Sequence, residues 1–238
     1  MKLPTLVAAC LTAACAGPAA VNGETQTMSD VKSAFARAVG ATPQAISAFL
    51  AVPLPSGGGP ADALWVGTNS AEGKMRTWAV AGCKGSPCPG KPVSMPTASS
   101  LALAALVDLQ GAAFKLDLKQ LPKDPAGAQP LPKQPGKLGA LVLARNKLDS
   151  GELRDTLVLL SGSDPVDVLW RETASSTPPN GGGFQSQELG FAKPSQGAWL
   201  ELTLLQHSLP AKGDAAYRPG PPLTLRFAYQ QGVYQRVR

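Results

Sequence analysis

Leu223-Thr224-Leu225-Arg226-Phe227-Ala228-Tyr229-Gln230-Gln231-Gly232-Val233-Tyr234-Gln235-Arg236-Val237 is the stretch whose reading decides the fold. Leu223, Leu225, Phe227 and Tyr229 alternate with Thr224, Arg226, Ala228 and Gln230. That is the period of a strand with one buried face. The first strand is read at Pro222–Gln230, Gln231-Gly232 supplies a two-residue turn, and Val233 to Val237 returns as the second strand of a hairpin. Leu223, Leu225, Phe227, Tyr229, Val233 and Val237 are read as its apolar face.

Upstream, the same signature recurs as short runs punctuated by Gly, Pro, Asn and Asp. Candidate strands are Ala63–Thr68, Met75–Ala81, Leu101–Leu109, Ala113–Leu118, Gly139–Arg145, Arg154–Leu160, Val166–Glu172, Gln185–Phe191 and Ala198–Leu205,. No long helical pattern separates them. The expected fold is therefore mainly β, as a sandwich, an open barrel or propeller-like blades of short antiparallel strands. The 25 Gly and 23 Pro among 238 residues follow no Gly-X-Y period and belong to turns and linkers,. Linkers are read at Pro53 to Pro60, Leu121 to Lys137 and Ser175 to Gly183. Ala63 to Val80 and Ala140 to Val158 share an order of apolar strand, acidic-Gly turn and apolar strand. Residues 61–120 and 138–238 are thus either duplicated halves of one β-rich domain, 61–238, or hairpins alike by chance.

Ahead of this domain, Thr27 to Ala41 carries Val31, Phe35, Ala38 and Val39 at helical spacing, with Thr27 or Ser29 as cap and Gly40 as stop. Thr42-Pro43 repeats the start signal, and Ile46, Phe49 and Leu50 fall on one face before Pro53. Residues 27–52 are expected to form a small helical hairpin.

Residues 1–20 read as an export signal and tether: Lys2, then a short apolar core from Leu3 to Ala14, then small residues,. Leu11-Thr12-Ala13-Ala14-Cys15 resembles the lipobox of bacterial lipoproteins, with its Leu four places before the cysteine where the family usually has three. The resemblance implies that Cys15 becomes the acylated N-terminal residue, which anchors the protein to a membrane. Ala16, rather than Asp, follows the cysteine, and in enteric lipoproteins that implies the outer membrane. An ordinary cleaved signal, leaving a periplasmic or secreted protein, is the other reading. Either way Cys83 and Cys88, in Cys83-Lys84-Gly85-Ser86-Pro87-Cys88, form an even pair across a short turn of an exported chain, which is the setting of a disulfide.

Chemistry is sparse. His207 is the lone histidine, and no Gly-x-Ser-x-Gly elbow presents a serine to it,. Asp149, Glu152, Asp155, Asp164, Asp167 and Glu172 crowd one stretch, the arrangement a carboxylate-dependent hydrolase would need. Arg145, Lys147, Arg154 and Arg171 interleave with them, which makes a solvated, charge-balanced face the simpler reading. No calcium loop, zinc ligand set or phosphate loop is present in the sequence, so no cofactor or metal is expected. Trp65, Trp78, Trp170 and Trp199 are expected mainly in the core; an exposed row of them would instead suit a glycan- or peptide-binding module. Tyr217, Tyr229 and Tyr234 share the last stretch with Arg218, Arg226, Arg236 and Arg238, a candidate contact for an anionic surface. The 22 Lys+Arg against 16 Asp+Glu give a formal charge of +6. The partners expected are a membrane, an anionic envelope polymer or a protein. Export argues against nucleic acid. The sequence thus points to an exported lipoprotein with a non-catalytic binding or envelope-structural role.

Overall fold

The computed structural model describes residues 26–55, 61–71, 73–119, 137–194 and 197–237. Cys15 and its signal, Arg238, the glycines of the first linker and nearly all of the Leu121–Lys137 stretch lie outside them. The elements are one helix, α1 (Met28–Ala38), and fourteen strands: β1 (Ile46–Pro53), β2 (Ala63–Ala71), β3 (Lys74–Cys83), β4 (Ser86–Pro87), β5 (Val93–Met95), β6 (Ser100–Asp108), β7 (Phe114–Asp117), β8 (Leu138–Lys147), β9 (Leu153–Ser161), β10 (Val168–Thr177), β11 (Phe184–Ala192), β12 (Glu201–Ser208), β13 (Leu223–Gln230) and β14 (Val233–Val237). They form two antiparallel sheets, neither of them closed. The first has five strands in the order β1-β2-β3-β4, with β5 also on β3. The second has nine in the order β14-β13-β12-β11-β10-β9-β8-β6, with β7 on β11. The main-β expectation holds, and every strand read from the sequence is present. β12 begins later than read, at Glu201, because Leu200 donates its N–H to Leu109 O (2.8 Å) and stays out of the ladder.

The helix starts where its cap lies. Thr27 Oγ1 accepts from Asp30 N–H (3.2 Å), and Asp30 Oδ2 accepts from Thr27 N–H (2.9 Å), a reciprocal pair that satisfies two otherwise orphaned donors,. Gly40, at φ 67°, ends it,. The second helix of the expected hairpin does not exist. Pro43 opens only a 3-10 turn (Pro43–Ala45), and Ile46 onward is β1, paired with β2 from Ile46↔Asn69 to Pro53↔Ala63. A short apolar run covered on both sides has no single periodicity, so Ile46, Phe49 and Leu50 mimic a helical stripe,. In the strand, Phe49 and Ala51 turn to α1, while Leu50 and Val52 turn to the second sheet.

Three clusters stack through the molecule. Phe35, Ile46, Trp65 and Val80 join α1 to the outer side of the first sheet. Val52, Leu64, Val66, Ala79 and Ala81 on its inner side meet Ala140, Val142, Val158 and Leu160 of β8 and β9. The other side of those two strands, Leu141, Leu157 and Leu159, faces Leu189, Leu202, Leu204, Leu225 and Phe227 of the remaining strands. β8 and β9 are therefore a wall shared by two cores, which is why they read as near-continuous apolar runs.

The C-terminal hairpin corrects the apolar face read from the sequence. Gln231 (φ 51°) and Gly232 (φ 92°) form a two-residue turn, with Gln230 opposite Val233 and Tyr229 opposite Tyr234. Such a turn pairs odd positions with even ones, and paired residues share a face. Leu225, Phe227 and Tyr229 thus continue onto Tyr234 and Arg236, whereas Val233 and Val237 lie on the other side. Tyr234 is buried; Val233 and Leu223 are exposed.

Candidate functional site

β10 pairs with β9 along its length but with β11 only at Ser175↔Gln185 and Ser176↔Phe184. Farther along, from Glu188 to Phe191, β11 takes β7 in its place. Val168–Thr173 is left with one edge that has no strand partner among the described residues. Gln206 closes one end of this gap, donating from Nε2 to Thr173 O (3.0 Å). At the other end β14 comes back alongside β10 without hydrogen bonding to it.

A groove of about 410 Å³ lies there, lined by Val93, Ser94 and Pro96, by Val168, Leu169, Trp170 and Arg171, and by Val233 and Tyr234. Side chains on a strand alternate between two faces. The register shift between Val168 and Trp170 interrupts that alternation, and four consecutive residues of β10 line the groove,. The third wall is held in place from both sides. Gly90 N–H donates to Asp164 Oδ1 (3.0 Å), which ties the approach to β5 to the turn before β10. Beyond β5, Thr68 Oγ1 donates to Ala98 O (2.8 Å) and Ala98 N–H donates to Thr77 Oγ1 (3.0 Å), inside the first sheet.

Two of the lining residues root in the core. Trp170, 3% exposed, meets the Phe227 ring edge-on at 5.3 Å, and Tyr234, 6% exposed, meets Tyr229 at 5.4 Å. Trp170 Nε1 and Tyr234 Oη are buried with no hydrogen-bond partner. Burial raises the Tyr234 pKa well above the ordinary tyrosine value, so the phenol stays neutral and keeps its proton to donate,. Arg171 is exposed and is the single charged side chain among the lining residues.

The residues singled out from the sequence are dispersed. Arg226 pairs with Glu201 (3.2 Å), and Arg236, opposite Phe227, lies on the other face of the hairpin from it. Arg218 donates to Tyr217 O (3.0 Å) in the coil after β12, and Tyr217 Oη donates to Ser208 O (2.6 Å). Cys83 and Cys88 are disulfide-bonded across the β3–β4 turn, with Cα atoms 5.1 Å apart. His207 is half-buried opposite Gln185. Of the clustered carboxylates, Asp155 holds Arg145 through two bonds (2.7 and 2.8 Å). Glu152 accepts from Ser176 Oγ (2.8 Å) and from Arg154 (2.9 Å), and that pair of donors lowers its pKa, Ser176 foremost. Trp65 is buried. Trp78 is half-buried and donates to Asn69 Oδ1 (3.3 Å), and Trp199 stacks on Tyr229 at 3.6 Å. Among the described residues no His, Cys, Asp and Glu side chains gather in threes to hold a metal ion, and no helix is long and apolar enough to cross a membrane.

Sequence reasoning placed a strand at Val166–Glu172 but not the groove, because an edge is a property of strand order and no local pattern marks it. The lone clue was Arg171 within an apolar run, a charge of the kind that edges carry. Comparison with protein-family models, with curated proteins and with solved structures finds no match to this chain.

Proposed function

We propose that this chain is an exported, non-catalytic binding protein, tethered to a bacterial envelope membrane through a lipid on Cys15, with the groove between β5, β10 and β14 as its binding site. The groove carries the reading. It holds about 410 Å³, opens widely to solvent, and is lined by strand edges with no His, Asp or Glu beside Ser94,. The Leu11–Cys15 motif and a disulfide that suits an oxidising compartment support the tether and the export,.

Processing tests the tether. Expressed in a Gram-negative host, the mature protein should lack Met1 to Ala14, carry acyl chains on Cys15 and sediment with membranes, and Cys15→Ser should move it to the soluble fraction. An unlipidated mature N-terminus at Gly17 or Val21 would overturn the tether.

A further inference from the structure

We infer that the outer edge of β7 is a self-complementary dimer contact, on which a second copy of this chain pairs antiparallel about a two-fold axis through Leu116, with Lys115 of each copy opposite Asp117 of the other. The contact uses none of the residues that line the groove.

The first argument is the backbone. β7 pairs with β11 in an unbroken register from Phe114↔Phe191 to Asp117↔Glu188, and Leu118 N–H continues it with a bond to Gln187 O (2.9 Å). In an antiparallel ladder a strand exchanges bonds with one neighbour at every second residue. The Leu118 bond puts Phe114, Leu116 and Leu118 in that set, so the N–H and C=O groups of Lys115 and Asp117 point away from β11. Among the described residues no second strand pairs with β7, and β11 is its one close neighbour among the named elements. Strand edges with open N–H and C=O groups recruit another chain unless something covers them.

The second argument is charge. Lys115 and Asp117 are both exposed, on the side of β7 away from the larger core that holds Leu116,. Asp117 stands directly opposite Glu188, and like charges in that relation destabilise a sheet,. Lys115 is already paired with Glu188 (2.9 Å), and no ion pair among the described residues reaches Asp117, whose Oδ1 accepts from the Lys119 N–H (2.9 Å). A cation arriving opposite Asp117 on its open side offsets the repulsion. Charge also selects the register. An axis at Lys115 sets Lys against Lys, and one at Asp117 sets Asp against Asp. An axis at Leu116 sets Lys against Asp twice, with both N–H···O bonds exchanged in each pair. The same register places Phe114 against Leu118 of the other copy on the inner side, where both are half-buried against the larger core. So short a ladder buries little area, so the dimer belongs with the weak, transient associations.

Sedimentation velocity of the full chain carrying Cys15→Ser, from about 10 μM to 1 mM at low salt, should show monomer giving way to dimer as concentration rises. Lys115→Asp and Asp117→Lys should each weaken the dimer by about tenfold or more, because each sets like charges opposite one another in both pairs. An equimolar mixture of the two variants should dimerise again, and so should the chain carrying both substitutions. Asp117→Lys also removes the like-charged pair with Glu188, so its melting temperature should hold, which separates a lost contact from a lost fold. In the native sequence, residue-resolved hydrogen exchange should slow with concentration at the Lys115 and Asp117 amides, while those of Leu116 and Leu118 stay protected throughout. A monomer at the highest concentration, a dimer indifferent to both single substitutions, no rescue in the mixture, or exchange that ignores concentration would each overturn the inference. None of these outcomes bears on the groove or on Cys15 processing.

Discussion

An added Cβ at Gly67 would come within 2.5 Å of Phe35 Cε1 and 3.2 Å of Phe49 Cδ2, and at Gly82 within 2.8 Å of the Trp65 ring. The backbone at both positions is ordinary, so the requirement for glycine is steric: ring edges rest directly on bare main chain beneath α1. Phe35 is wholly buried and has nowhere to go. Gly67→Ala is expected to cost about 1–3 kcal/mol, the range of overpacking, read as a lower urea midpoint with unchanged slope. Tyr234 supplies the opposite case. Its hydroxyl is buried without a partner, so Tyr234→Phe should be neutral or stabilising, where loss of a made hydrogen bond typically costs about 1 kcal/mol,. Its titration gives a second readout. The folded-state pKa lies above the unfolded value of 10.0, so its contribution to stability is whole below pH 10 and lost as the pH climbs beyond it,. Thermal melts of the native chain should therefore fall more steeply above pH 10 than those of Tyr234→Phe.

At the scale of elements, the hairpin of β13 and β14 is structural. Leu225, Phe227 and Tyr234 sit in the larger core, and β13 pairs with β12 over Leu223–Phe227. Burying each such side chain is worth roughly 1.5–3 kcal/mol, and three together reach the usual stability of a whole domain. Truncation after Gly220 should give insoluble or protease-sensitive protein, judged by limited proteolysis; a truncated chain with an unchanged melting temperature would refute the placement. The hairpin also shows where sequence reading stops. Its strands and turn were plain from alternation and from Gln231-Gly232. The face of the second strand was misjudged, although the two-residue turn dictates it: the apolar Val233 and Val237 attract attention, and geometry buries Tyr234 instead. β1 escapes the reading for the complementary reason, since a strand with apolar contacts on both sides shows no period-two signal to find.

For the whole molecule, strand existence was legible and strand order was not. Alternation and turn residues are local, whereas the splitting of β11's edge between β10 and β7 is set by pairings between segments distant in sequence. The groove, being a product of that split, has no sequence signature of its own. Of the residues that did carry chemical character, Arg226 pairs with Glu201, Asp155 with Arg145 and Glu152 with Arg154, and Arg226 and Arg236 lie on opposite faces of the hairpin. Cys83 and Cys88 were the exception, because a bridge across so short a turn depends on nothing distant.

The shared wall of β8 and β9 also has a temporal consequence. A chain made from its N-terminus offers α1 and the first three strands early, but the cover on the inner side of that sheet is completed by Ala140, Val142, Val158 and Leu160, which emerge much later than Met95 and Leu106. From β8 onward, consecutive strands are mostly hydrogen-bonded neighbours, so that half gains its contacts as soon as each strand appears. The half synthesised first is therefore the half completed last. During elongation its apolar inner side is the surface most exposed to aggregation, and the stretch that a holding chaperone would have reason to shield.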